Sequence, residues 1–309
     1  MATSKQARNI TIVGGSGTVG APIVASLVEL GIHNLSVITR PDSKAEYPAS
    51  VTVHKGSYDD EAFLTSALAG QDVLIMALSY RAYDAQIPLI RAAAKTKVAY
   101  IVPCEFGSDA TNVAMNQEII LMNVKRPYRD LIEELGVSSW IGVTNNPWFD
   151  YCMKGAYFYI DVKQRTAKLL DGGVVKANFS TLERVGKSLA AVLSLPEAEL
   201  AKHKNDWVFF SSFLISQSDI LDSALRVTGT KREDWTMSEG TAKEVRDWAK
   251  AETAKGNHMA AAAALFALMF SDGFGGNYND KVVDYKKLGL EPEEDLDAVM
   301  KKLVVDFQV

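Results

Sequence analysis

Eight residues near the start of the chain, Val13-Gly14-Gly15-Ser16-Gly17-Thr18-Val19-Gly20, are of types and at spacings that can hold a phosphate. They follow a strand-like apolar stretch, Asn9 to Val13, and open into a helix-like one, Ala21 to Val28. Strand, glycine turn and helix in that order make the setting of a dinucleotide site. Gly14 permits the tight turn, Gly17 lets backbone approach a pyrophosphate, and Gly20 lets helix and strand pack closely. Free N–H groups at the helix start, between Ser16 and Val19, then face the phosphates with the helix dipole behind them. The spacing is Gly-x-x-Gly-x-x-Gly, which points to short-chain or extended reductase types rather than to two-domain dehydrogenases. A second chemical signal follows the next strand, at Thr39-Arg40-Pro41-Asp42-Ser43-Lys44. An acid at that strand tip would bind a ribose 2′-hydroxyl, and a cation would take a 2′-phosphate. Arg40 offers the planar fork that suits phosphate, with Lys44 as an assistant, so the expected cofactor is NADP(H).

The elements that position these residues alternate along the first half. Strand signals lie at 35–39, 51–54, 72–77, 99–103 and 139–144, with helix signals at 61–68, 85–95 and 128–135 between them. Asp60 can cap one helix, and Gly136 can end another. The stretch 72–77 is almost continuously apolar, as in strands buried on both faces of a parallel sheet. This pattern predicts an α/β fold, a doubly wound parallel Rossmann sheet, over residues 1–150. Beyond it, 151–309 read as a smaller α+β lobe covering the substrate, with one strand possible in return to the main sheet. The run 168–175 reads as a hairpin or a strand with a turn, Thr181 as a helix cap, 208–211 as a short strand, and the rest as mainly helical. The glycine-rich run 271–277 reads as a flexible lid or a turn.

Ligands of such sheets sit outside the carboxyl ends of the strands. Ala77, Leu78 and Ser79 therefore belong beside the cofactor, with Tyr80 and Tyr83 facing substrate. Asn145 and Asn146 end the last strand; Asn145 is assigned to the cofactor and Asn146 to substrate. Trp148, Phe149 and Tyr151 would add aromatic walls, which suit a flat aromatic ligand. Met153, Phe158 and Tyr278 are weaker pocket candidates, and His258 is read as structural. A Tyr-x-x-x-Lys pair, Tyr159 and Lys163, has the spacing of ordinary short-chain dehydrogenases but follows the last strand.

Several of these stretches, with Gly56-Ser57-Tyr58-Asp59-Asp60, Pro103-Cys104-Glu105-Phe106-Gly107 and Asn145-Asn146-Pro147-Trp148-Phe149, resemble the NmrA-like, isoflavone-reductase-like group of atypical short-chain reductases, fungal-type members most closely. The resemblance is good over the first 190 or so residues. It implies that Pro103, Glu105 and Phe106 close the fifth strand below the nicotinamide. It also implies a catalytic lysine four residues before an arginine, the spacing of Lys125 and Arg129. The chain departs from the group at Cys104, where serine is usual, and at Ser57, where aspartate is usual. Pro127 fits the lysine segment only if a helix begins beside it. The activity implied is NADPH-dependent hydride transfer to C=O, C=N or activated C=C of a small aromatic or secondary-metabolite substrate. Alternatives on the same fold are a non-redox cyclisation or rearrangement and a redox-sensing regulator without turnover.

Composition narrows the classes further. A net charge of −5 over 309 residues argues against nucleic acid as a partner. No basic run suits a membrane surface, and the apolar stretch 259–270 is too short to span a bilayer. Two cysteines and four scattered histidines provide neither a disulfide framework nor metal-ligand spacing, so no metal is expected. A polar N-terminus without an apolar signal core makes the cytosol the expected location. A small-molecule substrate and a monomer or homodimer complete the expectations.

Overall fold

The computed structural model describes residues 5–119, 123–257 and 260–307; His258 and Met259 lie outside them. Seven strands form the central sheet: β1 (Asn9–Val13), β2 (Asn34–Thr39), β3 (Val51–Lys55), β4 (Val73–Met76), β5 (Tyr100–Val102), β6 (Ser139–Thr144) and β10 (Asp206–Phe209). Their order is β10-β6-β5-β4-β1-β2-β3, and every pairing is parallel. The order reverses between β1 and β4, which opens a crevice at their carboxyl ends. All four residues of β4 are buried, as its unbroken apolar run requires of a strand covered on both faces.

Helices α1 (Gly20–Leu30), α2 (Glu61–Leu68), α3 (Gln86–Lys95), α4 (Val113–Glu118) and α5 (Arg126–Leu135) belong to the first half. Asp60 caps α2 by accepting from the Phe63 N–H at 3.0 Å, and Gly136 ends α5 in the left-handed conformation. Helices α6 (Phe149–Lys154) and α7 (Leu182–Val192) follow β6. One face of the sheet packs on α1 and α7, the other on α2, α3 and α5. Gly186 of α7 lies so close to α1 that a Cβ there would stand 2.5 Å from the Pro22 carbonyl oxygen. Residues past 150 thus help to cover the dinucleotide half.

Two smaller sheets differ in detail from the sequence pattern. Of the two readings of 168–175 the strand with a turn is the one found, and the hairpin lies upstream, where β7 (Ile160–Asp161) pairs antiparallel with β8 (Thr166–Leu170). Its turn uses Arg165 at φ +51°, while the Gly172-Gly173 pair only ends β8 in a short 3₁₀ turn. The third strand of that sheet, β12 (Thr236–Gly240), pairs parallel with β8. Between them in sequence, β9 (Ala177–Phe179) and β11 (Phe213–Ile215) pair antiparallel. Helices α8 (Gln217–Thr228), α9 (Ala242–Ala254), α10 (Ala260–Met269) and α11 (Leu296–Phe307) complete this part. Its core is aromatic, built on Phe149, Phe158, Phe179, Phe213 and Phe270. Phe149, Met153, Phe158 and Tyr278 are all buried there or beside it, so Phe149 is a packing residue and not a pocket wall.

At the amino ends of the strands, the buried Arg8 guanidinium donates to the carbonyls of Leu193 and Leu195 at 2.6 and 2.8 Å. His33 Nδ1 accepts from the Arg8 N–H at 3.1 Å, and Nε2 faces Ser194 Oγ at 3.0 Å. Burial, then the Arg8 charge, lowers the His33 imidazole from 6.5 to about 4. The unfolded chain therefore binds this proton first. Stability is full above about pH 6.5, falls as pH drops towards about 4, and levels off below that. For a half-exposed ring the loss should be about 1–2 kcal/mol after solvent screening. Melting temperatures of wild type and His33→Gln across that range check this: the acid-side fall shrinks in the variant.

Candidate active site

The glycine loop is shaped by its own backbone. Gly14 has φ +81°, and a Cβ there would meet the Ala77 carbonyl oxygen of the β4 end at 2.4 Å. The Gly17 N–H donates to the Gly14 carbonyl at 2.9 Å, closing the turn. A Cβ on Gly20 would stand 2.1 Å from that same carbonyl, so the close approach that demands Gly20 is to the loop rather than to the strand. Ser16, Gly17 and Thr18 are exposed, and Val19 is buried as the residue before the helix. No side chain caps α1 and no acid stands in its first turn, so its dipole end is left for an anion.

Arg40 lies 70% exposed on the wall of a cleft of about 410 Å³, with Pro41, Asp42, Ser57, Tyr58, Asp59, Asp84 and Ala85. Asp42 shares this wall, 3.8 Å from the Arg40 Nε. Lys44 is exposed and stands outside the lining.

Successive strand ends carry the site across the sheet. The Cys104 thiol accepts from the Leu78 N–H at 3.3 Å and donates to the Met76 carbonyl at 3.1 Å, joining the β4 and β5 ends. Burial pushes this thiol up to about 12, so it is an inert hydrogen-bonding group standing in for a hydroxyl. Pro103 and Phe106 are buried beside it, Phe106 at φ +23°. The Gly107 carbonyl accepts from the N–H groups of both Asn145 and Asn146 at 3.0 Å, tying the β5 loop to the β6 end.

Lys125 reaches this junction from the N-cap position of α5. Pro127 sits in the first turn, where a missing N–H costs nothing, so the helix does begin beside it. The ammonium donates to the Glu105 carbonyl oxygen and lies 3.8 Å from the Glu105 carboxylate. The other carboxylate oxygen is held by Arg129. The carboxylate of Glu105, expected beside the cofactor, thus serves two cations. Burial pushes the Lys125 ammonium below its ordinary range, and Glu105 pulls it back up. The Tyr83 ring lies 6.0 Å from Lys125 Nζ, whereas Tyr80 is 61% exposed and takes a hydrogen bond from Arg81.

Ala77 is buried, Leu78 half-buried and Ser79 exposed at the crevice. Asn146 is fully buried at φ +52°, and its amide donates to the carbonyls of Asn178 and Gly276, each at 2.9 Å. It fastens the second half to the sheet instead of lining a pocket. The same contact pins the 271–277 loop, which Asn112 also holds at Gly273, so that segment is a tied turn and not a free lid. Trp148, Tyr151, Tyr157 and Phe266 form a ladder with ring centroids 5.8, 5.8 and 5.0 Å apart. Tyr157 and Phe266 were missed in the sequence because nothing in their spacing separates them from core. Tyr159 donates to the Ala263 carbonyl at 2.7 Å and Lys163 is exposed, so that pair forms no site.

Thr144 Oγ1 and Asn145 Oδ1 are buried at the β6 end without a protein partner. Together with the open α1 terminus and the Arg40 cleft, these groups fit a dinucleotide laid across the carboxyl ends of the strands.

A glycine loop at the switch point of a seven-stranded parallel sheet defines a Rossmann-type dinucleotide-binding protein. The NmrA-like family model matches residues 6–199, and the chain belongs to that family. It is 26% identical to the oxidoreductase aprR of Aspergillus flavus over 301 residues, 96% of this chain and 98% of that protein. Among solved structures, AtPrR2 with NADP+ and (+)pinoresinol has the same fold, with a TM-score of 0.76 at 18% identity over 96% of this chain and 99% of that one. The leucoanthocyanidin reductase–NADPH complex from Vitis vinifera matches over the same shares, with a TM-score of 0.75 at 16% identity. Among the described residues no helix is long and apolar enough to cross a membrane.

Proposed function

We propose that this chain is an NADPH-dependent reductase of a small aromatic substrate, with Lys125 as its catalytic residue. The observation that carries the reading is a buried lysine ammonium beside the strand ends that the glycine loop opens onto. Full-length likeness to an oxidoreductase, and a fold shared with reductases described in complex with NADP+ or NADPH, support it.

Gly14, Gly17 and Gly20 would seat the pyrophosphate, with the N–H groups of the α1 start aimed at it. Arg40 would take the 2′-phosphate. Ala77, Leu78, Pro103, Phe106 and Asn145 would line the path to the nicotinamide end. A reduced nicotinamide supplies the hydride. Lys125 donates a hydrogen bond to the substrate oxygen, or nitrogen, that gains the electron pair as hydride reaches carbon. It then gives that atom a proton and recovers one from solvent. The Trp148–Tyr151–Tyr157–Phe266 ladder, with Tyr83 facing the ammonium, supports a flat aromatic substrate. The part beyond residue 150 acts as the substrate-covering lobe.

Calorimetry with NADPH and NADH on wild type and Arg40→Ala tests the cofactor reading. Loss of a charge-assisted phosphate contact should weaken NADPH about 10- to 100-fold and leave NADH nearly unchanged. Equal binding of both by wild type overturns the role of Arg40. Nicotinamide absorbance with a panel of aromatic ketones and enones tests turnover, and tight NADPH binding without oxidation of any of them overturns the reductase.

A further inference from the structure

A buried ammonium and a partly buried guanidinium share one buried carboxylate at the α5 start. The side chains of Lys125, Arg129 and Glu105 are 7%, 12% and 4% exposed. A guanidinium stays charged at any working pH, whereas an ammonium can lose its proton. The excess charge therefore falls on Lys125. Arg129 also holds the stronger position. It hydrogen-bonds one Glu105 oxygen and lies over the Trp140 and Trp207 rings, with Cζ 5.6 and 5.0 Å from their centroids. Those rings meet edge to face at 5.4 Å, and Trp140 Nε1 donates to Glu133 at 2.7 Å. Gly142 makes room for them, since a Cβ there would stand 2.5 Å from the Trp207 ring. Trp207 comes from β10, the strand that the second half of the chain returns to the sheet.

We propose that Glu105 and Arg129, the latter docked on Trp140 and Trp207, form a fixed electrostatic seat that decides how readily Lys125 gives up its proton. They are positioning residues, and the consequence for turnover rests on the catalytic role proposed for Lys125. The groups facing its ammonium are Glu105 and Cys104 from the β5 loop, Arg129 from α5 and Tyr83 from the segment after β4. Burial keeps Cys104 and Tyr83 neutral through the working range. That leaves one anion favouring the ammonium and one cation opposing it. Removing each must move Lys125 in opposite directions, which a merely structural role would not do.

The test is a pH titration of the Lys125 side-chain ¹³Cε resonance in the full chain, assigned by its loss in Lys125→Met. Glu105→Gln should move the midpoint to lower pH by about one unit or more, and Arg129→Gln should move it to higher pH. Should Arg129→Gln not fold, Trp207→Leu keeps all three charges, loosens the guanidinium and should move the midpoint the same way. Midpoints that stay put, or that move together, overturn the proposal. Where they move as stated, the pH profile of kcat should follow. An unmoved profile upholds the seat and overturns instead the assignment of Lys125 to the reaction.

Discussion

Lys125→Met lowers kcat by roughly 10²–10⁴-fold, the usual contribution of a positioned proton donor, and leaves NADPH affinity within a few-fold of wild type. Methionine preserves the length and apolar stem of the side chain but neither donates a hydrogen bond nor carries charge. The variant should not unfold. It removes the surplus cation and leaves the Glu105 carboxylate paired with Arg129, so no buried charge is orphaned, and the cost is that of the lost hydrogen bond to the Glu105 carbonyl, about 1–3 kcal/mol. Steady-state turnover, cofactor calorimetry and a thermal melt on one preparation separate these effects. Loss of turnover with intact binding and melting places Lys125 in the chemical step. Unchanged turnover removes it.

The second large effect is at Gly20. A methyl there meets backbone, 2.1 Å from the Gly14 carbonyl oxygen and 2.9 Å from its carbon. Gly14 has no room to withdraw, because the Ala77 carbonyl limits it on the other side. Gly20→Ala must therefore open the loop. Overpacking of this kind costs about 1–3 kcal/mol, and here it falls on the geometry that meets the pyrophosphate. NADPH affinity should drop roughly 10- to 100-fold, read by calorimetry. Gly15→Ala is the contrast. Its new methyl meets only side chains, those of Val24, Tyr47 and Val37 at 3.1–3.3 Å, which can yield. A Gly15→Ala loss as large as that of Gly20→Ala would show that the loop is sensitive to any added bulk.

Much of the first half was legible because its rules are local. Apolar runs of strand length, the Asp60 cap, the Gly136 stop and the glycine spacing each act within a few residues, and all appear in the structure where the sequence put them. The misreadings arose where long-range contacts decide. Residues 168–175 read equally as a hairpin or as a strand with a turn; Gly172-Gly173 ends β8 in the turn, and Arg165 makes the hairpin, held by the pairing of β7 with β8. The polar β12 carries no alternation to read, since three of its residues beyond Thr236 are exposed and its order comes from lying parallel to β8. Phe149 passed for a pocket wall because an aromatic beside a strand end looks the same whether it faces ligand or core. The spacing of Lys125 and Arg129 was visible, but not that Glu105, some twenty residues earlier, turns its carboxylate between them. Sequence shows which charges exist, and only the fold shows which ones share a dry space.

The edge strand β10 has a bearing on how the molecule comes to be made. It lies parallel to β6, with Phe209 opposite Thr144, so some sixty residues of other structure intervene before the sheet gains its last member. Until then β6 emerges from the ribosome with a bare, largely apolar edge, and Arg129 lacks one of the rings that hold it. The seven-stranded sheet is therefore complete only after the residues between β6 and β10 have been made. Its final strand and the second ring that holds its charged centre arrive together, with residues 206–209.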